Sequence, residues 1–179
     1  MNSLAKKAFS SLYKYSNPAN PRVYLSVARG GNKIGDLVFE LYEDRQPTAV
    51  DNFTTMLNGN VEGQSYVGSH ITKGVAGLGF FAGRTSEENH GAYGTYNPDG
   101  DHDVRHMKRG MLTYVREAEN CTGNEFCVTF NPAPWYDGYA TAFGELVEGE
   151  NVLAELEKSI DRNGNVSDEL SIVGGGHRE

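Results

Sequence analysis

Few side chains in this sequence could do chemistry, and their spacing does not fit a metal or cofactor site. The two cysteines, Cys121 and Cys127, are too few for a disulfide framework or a zinc site, and they suit a reducing compartment. The acidic run at residues 99–103 lacks the later glutamate of a calcium loop. Four of the five histidines lie outside this acidic run, and they have no HExxH-type spacing: His70, His90, His106 and His177. We therefore expect no metal and no cofactor.

The elements that would position any site are short strands separated by glycine turns. Alternation from Val23 to Val27, followed by a turn at residues 30–32, predicts a hairpin that continues to residue 42. One helix is predicted to begin at residues 47–48, with Thr48 as its N-cap, and to end before Gly59. A second helix is predicted at residues 151–160, and further strands at 111–115, 126–130, 141–147 and 170–173.

Residues 60–109 are rich in glycine and polar side chains, and we predict a long loop-rich region there. Short strands with only two helices favour a mainly β fold, a closed β-barrel capped by the helices. The net charge of −8 argues against a nucleic-acid partner, which would require a basic surface. No apolar run approaches the ~20 residues of a transmembrane helix.

Six short motifs follow one another along the chain: residues 35–42 (GDLVFELY), 47–53 (PTAVDNF), 66–69 (YVGS), 110–112 (GML), 135–138 (WYDG) and 143–149 (FGELVEG). Their order and spacing resemble those of the cyclophilin family of peptidyl-prolyl isomerases, over about residues 20–179. The resemblance implies an eight-stranded antiparallel barrel with a helix at each end. It also implies an activity that exchanges X-Pro bonds between cis and trans.

The resemblance further assigns the positions of an active site. Lys73 stands where the family has its catalytic arginine. The remaining positions would line the proline pocket or hold the substrate backbone: Leu78, Phe81, Val115, Arg116, Cys127, Trp135, Tyr136 and Ala140. Of all these positions, only Trp135 keeps the residue that the family uses.

These replacements bear directly on the chemistry. Rotation about an X-Pro bond must overcome a barrier of ~18–20 kcal/mol that arises from amide resonance. The family lowers it with an arginine whose N–H groups stabilise the twisted amide while an apolar pocket clamps the proline ring. A lysine keeps the charge but lacks the planar fork of donors, so we expect Lys73 to be ineffective. Smaller residues in the pocket wall, such as Cys127 and Ala140, would weaken the proline contact further.

The first residues of the chain form a separate feature. Apolar residues recur at helical spacing, lysines and serines fall on the other face, and no acidic residue precedes Asp36. This pattern is typical of a mitochondrial presequence, and the alternative is a basic amphipathic helix that docks on a partner or a membrane surface. We expect residues 1–19 to be a retained helical arm that anchors the domain, residues 20–179, to a larger assembly through residues 1–16.

Three functions remain open from the sequence. The first is a catalytically impaired cyclophilin-like subunit of a mitochondrial complex, on the matrix side. The second is a working isomerase that assists protein folding, which Lys73 and Trp135 favour. The third is a module that binds a proline-containing or other peptide without turning it over, which the retained Trp135 favours. A cytoplasmic location is the alternative to the mitochondrion.

Overall fold

The computed structural model describes residues 14–61, 63–85, 103–118 and 121–179. The strands are β1 (Arg22–Arg29), β2 (Asn32–Leu41), β3 (His70–Val75), β4 (Gly79–Ala82), β5 (Met111–Ala118), β6 (Cys121–Thr129), β7 (Ala142–Glu148) and β8 (Asn165–Arg178). The helices are α1 (Pro47–Leu57) and α2 (Glu150–Lys158), and a short 3-10 helix spans Pro134–Tyr136. Among the described residues, no helix has both the length and the apolarity to cross a bilayer.

The eight strands form one closed barrel in the order β1-β2-β7-β5-β6-β4-β3-β8. Every neighbouring pair is antiparallel, and β8 closes the barrel by pairing with both β1 and β3. Closure leaves no unpaired strand edge on the barrel. The predicted fold class, a closed antiparallel eight-stranded barrel with two helices, is confirmed.

Aromatic rings fill the barrel under α1. Phe53 of α1 contacts three of them, with ring centroids 4.9–5.3 Å apart: Tyr66, Phe126 and Phe143. Tyr114 of β5 stacks on Phe143 at 4.3 Å, and its hydroxyl donates a hydrogen bond to the Ala49 carbonyl of the helix. Tilted and stacked pairs of this kind add to the burial of apolar area. They fix α1 against the strands that carry the candidate site.

Several details differ from the sequence-based expectations. α1 begins at Pro47 with Gln46 in the cap position, so the prediction of Thr48 as N-cap is wrong. Proline suits the first helical turn because its missing N–H would have no partner there. The region predicted as loop holds β3 and β4, and β8 is much longer than the predicted 170–173. These three strands form by pairing with strands that are distant in the sequence. Local periodicity does not reveal such pairing.

The N-terminal expectation is tested only in part. Residues 1–13 of the predicted helical arm lie outside the described residues. The described part of the arm, from Lys14, is not helical, and the residues with helical apolar spacing, 4–13, lie outside the described residues. The described part contacts the barrel through hydrogen bonds from Ser16 and Asn17 to the buried carboxylate of Glu40.

Candidate functional site

The candidate site begins with a row of residues across four neighbouring strands. Lys73 of β3 pairs with Phe81 of β4, Phe81 pairs with Cys127 of β6, and Cys127 pairs with Thr113 of β5. Residues directly opposite each other in antiparallel strands project from the same face of the sheet. The barrel therefore brings the position of the predicted catalytic cation next to the predicted pocket residues.

A cavity of about 240 Å³ lies at one end of this row. Six of the predicted site residues line it, namely Phe81, Val115, Arg116, Cys127, Tyr136 and Ala140. Thr113, Tyr114 and Tyr139 complete the lining. Three predicted site residues, Lys73, Leu78 and Trp135, are not among the lining residues.

Aromatic rings narrow the cavity, and small side chains form part of its wall. Tyr136 and Tyr139 come from the loop around the 3-10 helix, and the Arg116 guanidinium carbon lies 4.4 Å from the Tyr139 ring centroid. Burial raises the pKa of the Tyr136 hydroxyl, and the neighbouring Cys127 and Tyr139 raise it further. Tyr136 therefore presents a neutral phenol to the cavity at physiological pH.

The Cys127 thiol is buried in the cavity wall. Burial raises its pKa to about 12, and the charge of Glu125 adds to that effect. Since the thiolate is the nucleophile, a thiol with so high a pKa is inert at physiological pH. Cys127 is therefore a wall residue with no nucleophilic role.

The Lys73 ammonium is engaged outside the cavity. Its Nζ lies 3.1 Å from Oε1 of Glu125 and 5.3 Å from the centroid of the Phe81 ring. The other carboxylate oxygen of Glu125 lies 3.1 Å from an amino nitrogen of Arg84. The Glu125 side chain is only 3% exposed, whereas that of Lys73 is 55% exposed. One buried carboxylate thus holds both cations.

Next to this ion cluster is a second, more open cavity of about 680 Å³. Phe81 lines both cavities, and Arg84, Thr85 and Glu125 line the second one. The rest of its wall is largely the glycine-rich segment between α1 and β3. Phe81 therefore lies between the small cavity, which is lined by aromatic rings, and the larger cavity, which is more polar.

Trp135 and Leu78 lie outside the lining of the small cavity. Trp135 is 62% exposed on the 3-10 helix, and its ring centroid lies 6.4 Å from that of Tyr136. Leu78 lies in the turn before β4, where its carbonyl accepts a hydrogen bond from the Phe130 N–H. A tryptophan as exposed as Trp135 contributes little to the core.

The glycine at position 79 lets two neighbouring strands pack closely. β4 lies so close to β6 here that a Cβ would collide with the Val128 carbonyl oxygen and lie 2.7 Å from the Cys127 sulfur. No side chain can project from this position without a shift of the strands.

The residues of this site that sequence reasoning missed include Glu125, Arg84 and Tyr139. Glu125 could have been recognised from the sequence, because it is the only charged residue from 121 to 130. A lone carboxylate in a buried strand needs a partner, and Lys73 is a cation that the barrel supplies. Arg84 and Tyr139 could not be recognised in this way, because they lie in segments of irregular backbone where no periodicity indicates which side chains face the site.

The comparison with known families agrees with this architecture. The family model described as "Cyclophilin type peptidyl-prolyl cis-trans isomerase/CLD" matches residues 24–175. The chain belongs to the cyclophilin family. The match spans the barrel from β1 into β8 and includes every residue that lines the two cavities.

Within the described ranges, no three His, Cys, Asp or Glu side chains converge where they could hold a metal ion. The nearest approach to an acid–base arrangement is buried His106, whose Nδ1 lies 2.9 Å from Asp137 and whose Nε2 lies 2.9 Å from Thr113. Its contact with Thr113 places it beside the small cavity, and its contact with Asp137 places it under the loop that carries Trp135.

Proposed function

We propose that this cyclophilin-type domain has lost efficient isomerase activity and serves as an accessory subunit of a mitochondrial protein complex. The observation that carries the proposal is the ion pair between Lys73 and the buried Glu125 carboxylate. Lys73 occupies the position at which the family resemblance implies a catalytic arginine.

The ion pair matters because catalysis of this reaction depends on a donor aimed at the twisting amide. Donors lower the barrier only when they are oriented toward the atom where charge develops in the transition state. The Lys73 ammonium is oriented toward Glu125, and the Phe81 ring lies beside it. Lysine also lacks the planar fork with which arginine makes two parallel hydrogen bonds.

The cavity supports the same conclusion through its size and lining. Its volume of about 240 Å³ falls below the ~300–1,000 Å³ that is typical of ligand pockets. Phe81 and Tyr136 occupy its sides, whereas Cys127 and Ala140 leave part of the wall without large apolar groups. A proline ring would gain little apolar contact there.

An NMR exchange experiment tests the loss of activity. We expect the full chain to leave the cis/trans exchange rate of an X-Pro peptide at its uncatalysed value, with Lys73→Ala indistinguishable from the parent. Lys73→Arg alone should not restore exchange, because Glu125 would still bind the new guanidinium. Faster exchange with the parent that disappears in Lys73→Ala would overturn the proposal and support the working isomerase.

The assignment to a mitochondrial complex rests on the N-terminal sequence. The helical apolar spacing, the lysines and the absence of acids before Asp36 are typical of a presequence or of a basic docking helix. We propose that residues 1–16 anchor the domain on the matrix side. Immunodetection after native electrophoresis of a gently solubilised mitochondrial extract tests this. Migration with a large complex supports the subunit role, and migration at the 19.6 kDa monomer contradicts it.

A second candidate function is peptide binding without turnover. The observation that favours it is the exposure of Trp135 and Tyr139, at 62% and 50%, beside the small cavity. Exposed aromatic side chains are frequent anchors of protein interfaces. Proline-containing peptides should then shift the amide resonances around Trp135 without any gain in exchange rate. No shift at saturating peptide would exclude this candidate.

A further inference from the structure

The first described residues of the chain are joined to the domain through Tyr15. Its ring contacts that of Tyr42, with centroids 5.6 Å apart, and the Arg45 guanidinium carbon lies 5.0 Å from its centroid. The Tyr15 hydroxyl donates a hydrogen bond to the Asp103 carbonyl and accepts one from the Arg105 N–H, both at 3.1 Å. Tyr15 therefore contacts the backbone of residues 103–105 directly.

Glu40 fixes the chain just after Tyr15. Its buried carboxylate accepts hydrogen bonds from the Ser16 hydroxyl at 2.9 Å, the Asn17 N–H at 2.7 Å and the Asn20 side-chain amide at 3.2 Å. A buried carboxylate must have such donors, because an unsatisfied charge is costly to bury. The position of Tyr15 is thus determined by the barrel and is not a chance surface contact.

Residues 103–105, which Tyr15 contacts, are followed directly by His106, and His106 contacts the loop that carries Trp135. The His106 N–H and ring Nδ1 both contact Oδ1 of Asp137, at 2.7 and 2.9 Å. The His106 carbonyl accepts a hydrogen bond from the Ala133 N–H at 2.9 Å. Ala133 and Asp137 are the residues on either side of the 3-10 helix that carries Trp135.

The same histidine reaches the wall of the small cavity. Its Nε2 lies 2.9 Å from the Thr113 hydroxyl, and its ring contacts Tyr136 edge-on at 5.6 Å. Because the Asp137 carboxylate can only accept, Nδ1 carries a proton, and in the neutral ring Nε2 then accepts from the Thr113 hydroxyl. Thr113 and Tyr136 both line the cavity. His106 therefore connects the held segment to two cavity residues.

We propose that Tyr15 is a positioning residue for the loop of Trp135 and for the small cavity. Its hydroxyl holds residues 103–105, and His106, which follows directly, holds Asp137, Ala133 and Thr113. A partner that draws the N-terminal segment away from the barrel would then loosen the loop and the cavity wall together. The proposal does not depend on whether the domain has isomerase activity.

The same segment has other contacts, including the buried Val104, which packs with Tyr42, Met111 and Ala142. Arg45 pairs with Asp103 at 2.9 Å and Arg105 approaches Asp137 at 4.0 Å, but three of these four side chains are 38–46% exposed. Ion pairs between exposed side chains contribute little because water and salt screen them. The hydrogen bonds of Tyr15 are made to backbone groups, whose positions fix the course of the chain.

Trp135 offers a specific reporter, because it is the only tryptophan of the chain and gives a single indole N–H resonance in a proton–nitrogen NMR spectrum. The test variant is Tyr15→Phe in the full chain, which removes the hydroxyl and keeps the ring contact with Tyr42. The matched control is Tyr24→Phe, the same chemical change on β1. We expect the Trp135 resonance to shift or broaden in Tyr15→Phe and to remain in place in Tyr24→Phe.

Asp137→Asn serves as the positive control, since it removes the carboxylate charge that His106 contacts beside Trp135. An unchanged resonance in Tyr15→Phe, with a shift in Asp137→Asn, overturns the proposal. A purely structural role predicts a lower melting temperature without a change at Trp135, so that outcome overturns it too. Should Tyr15→Phe fail to fold, the same measurement is made on Ser16→Ala, which removes one of the donors to Glu40 that position Tyr15 and should also shift the Trp135 resonance.

Discussion

Glu125 holds two cations with one buried carboxylate, and this arrangement distinguishes the site from a simple surface ion pair. Lys73 and Arg84 are each about half exposed, so either one can be lost while the other still neutralises the carboxylate. Removal of both would leave Glu125 buried without either cation. Buried charges that lose their counter-ions are strongly destabilising, whereas half-exposed pairs contribute little.

A double-mutant cycle tests this directly. We expect Lys73→Ala and Arg84→Ala each to lower the free energy of unfolding by less than ~1 kcal/mol. The double variant should lose ~0.5–3 kcal/mol more than the sum of the two single losses, because the sites share one partner. Urea denaturation provides the three values. Additive losses would show that Glu125 needs neither cation and would weaken the argument that it immobilises Lys73.

The Cys127 thiol gives a second prediction at the scale of a residue. Burial raises its pKa to about 12, so at pH 8 it should hold far less thiolate than an ordinary cysteine. In a Cys121→Ser background, we expect iodoacetamide to label the native protein far more slowly than the urea-unfolded protein. Equal rates in both states would mean that the thiol is accessible and that the cavity wall is open.

At the scale of an element, α2 depends on a glycine that no other residue can replace without strain. Gly149 has φ +100° at the N-terminus of the helix, and a Cβ there would collide with the carbonyl oxygen of Asp36 on β2. The turn brings Leu153 and Leu156 into the core. Both the backbone conformation and the close approach require the absence of a side chain.

Gly149→Ala should therefore cost more than an alanine at an unobstructed position of the same backbone type. Gly138 is the matched control, since it has φ +74° and a Cβ added there would meet no atom within 4 Å. We expect Gly138→Ala to lower the free energy of unfolding by ~1–2 kcal/mol and Gly149→Ala by clearly more. Thermal unfolding of both variants decides this, and equal losses would show that α2 can shift away from β2.

The elements also show how far the sequence could predict the structure. The hairpin of β1 and β2 and both helices follow from local periodicity and turn residues, and the family resemblance supplied the barrel. β3 and β4 could not be found from local patterns, because they are short, contain glycine and pair with distant strands as well as with each other. Phe81 and Cys127 were found by resemblance, whereas their cross-strand pairing emerges only when the barrel closes.

Most of the buried apolar side chains among the described residues form one main core, and this determines how the domain should unfold. The aromatic cluster joins α1 to β5, β6 and β7, while β8 pairs with β1 at one side and with β3 at the other. Opening the barrel at any strand pair would expose the same interior. A closed barrel with a shared core has no smaller unit that keeps its own apolar centre.

We accordingly expect a single cooperative transition in urea. Far-UV circular dichroism reports the backbone, and near-UV circular dichroism reports the packed rings of residues such as Phe53 and Tyr114. Trp135 is already 62% exposed, so most of the near-UV change should come from the interior tyrosines and phenylalanines. The two signals should share one midpoint, as two-state unfolding requires. Loss of the near-UV signal at lower urea would instead reveal an intermediate in which the strands persist after the aromatic core has loosened.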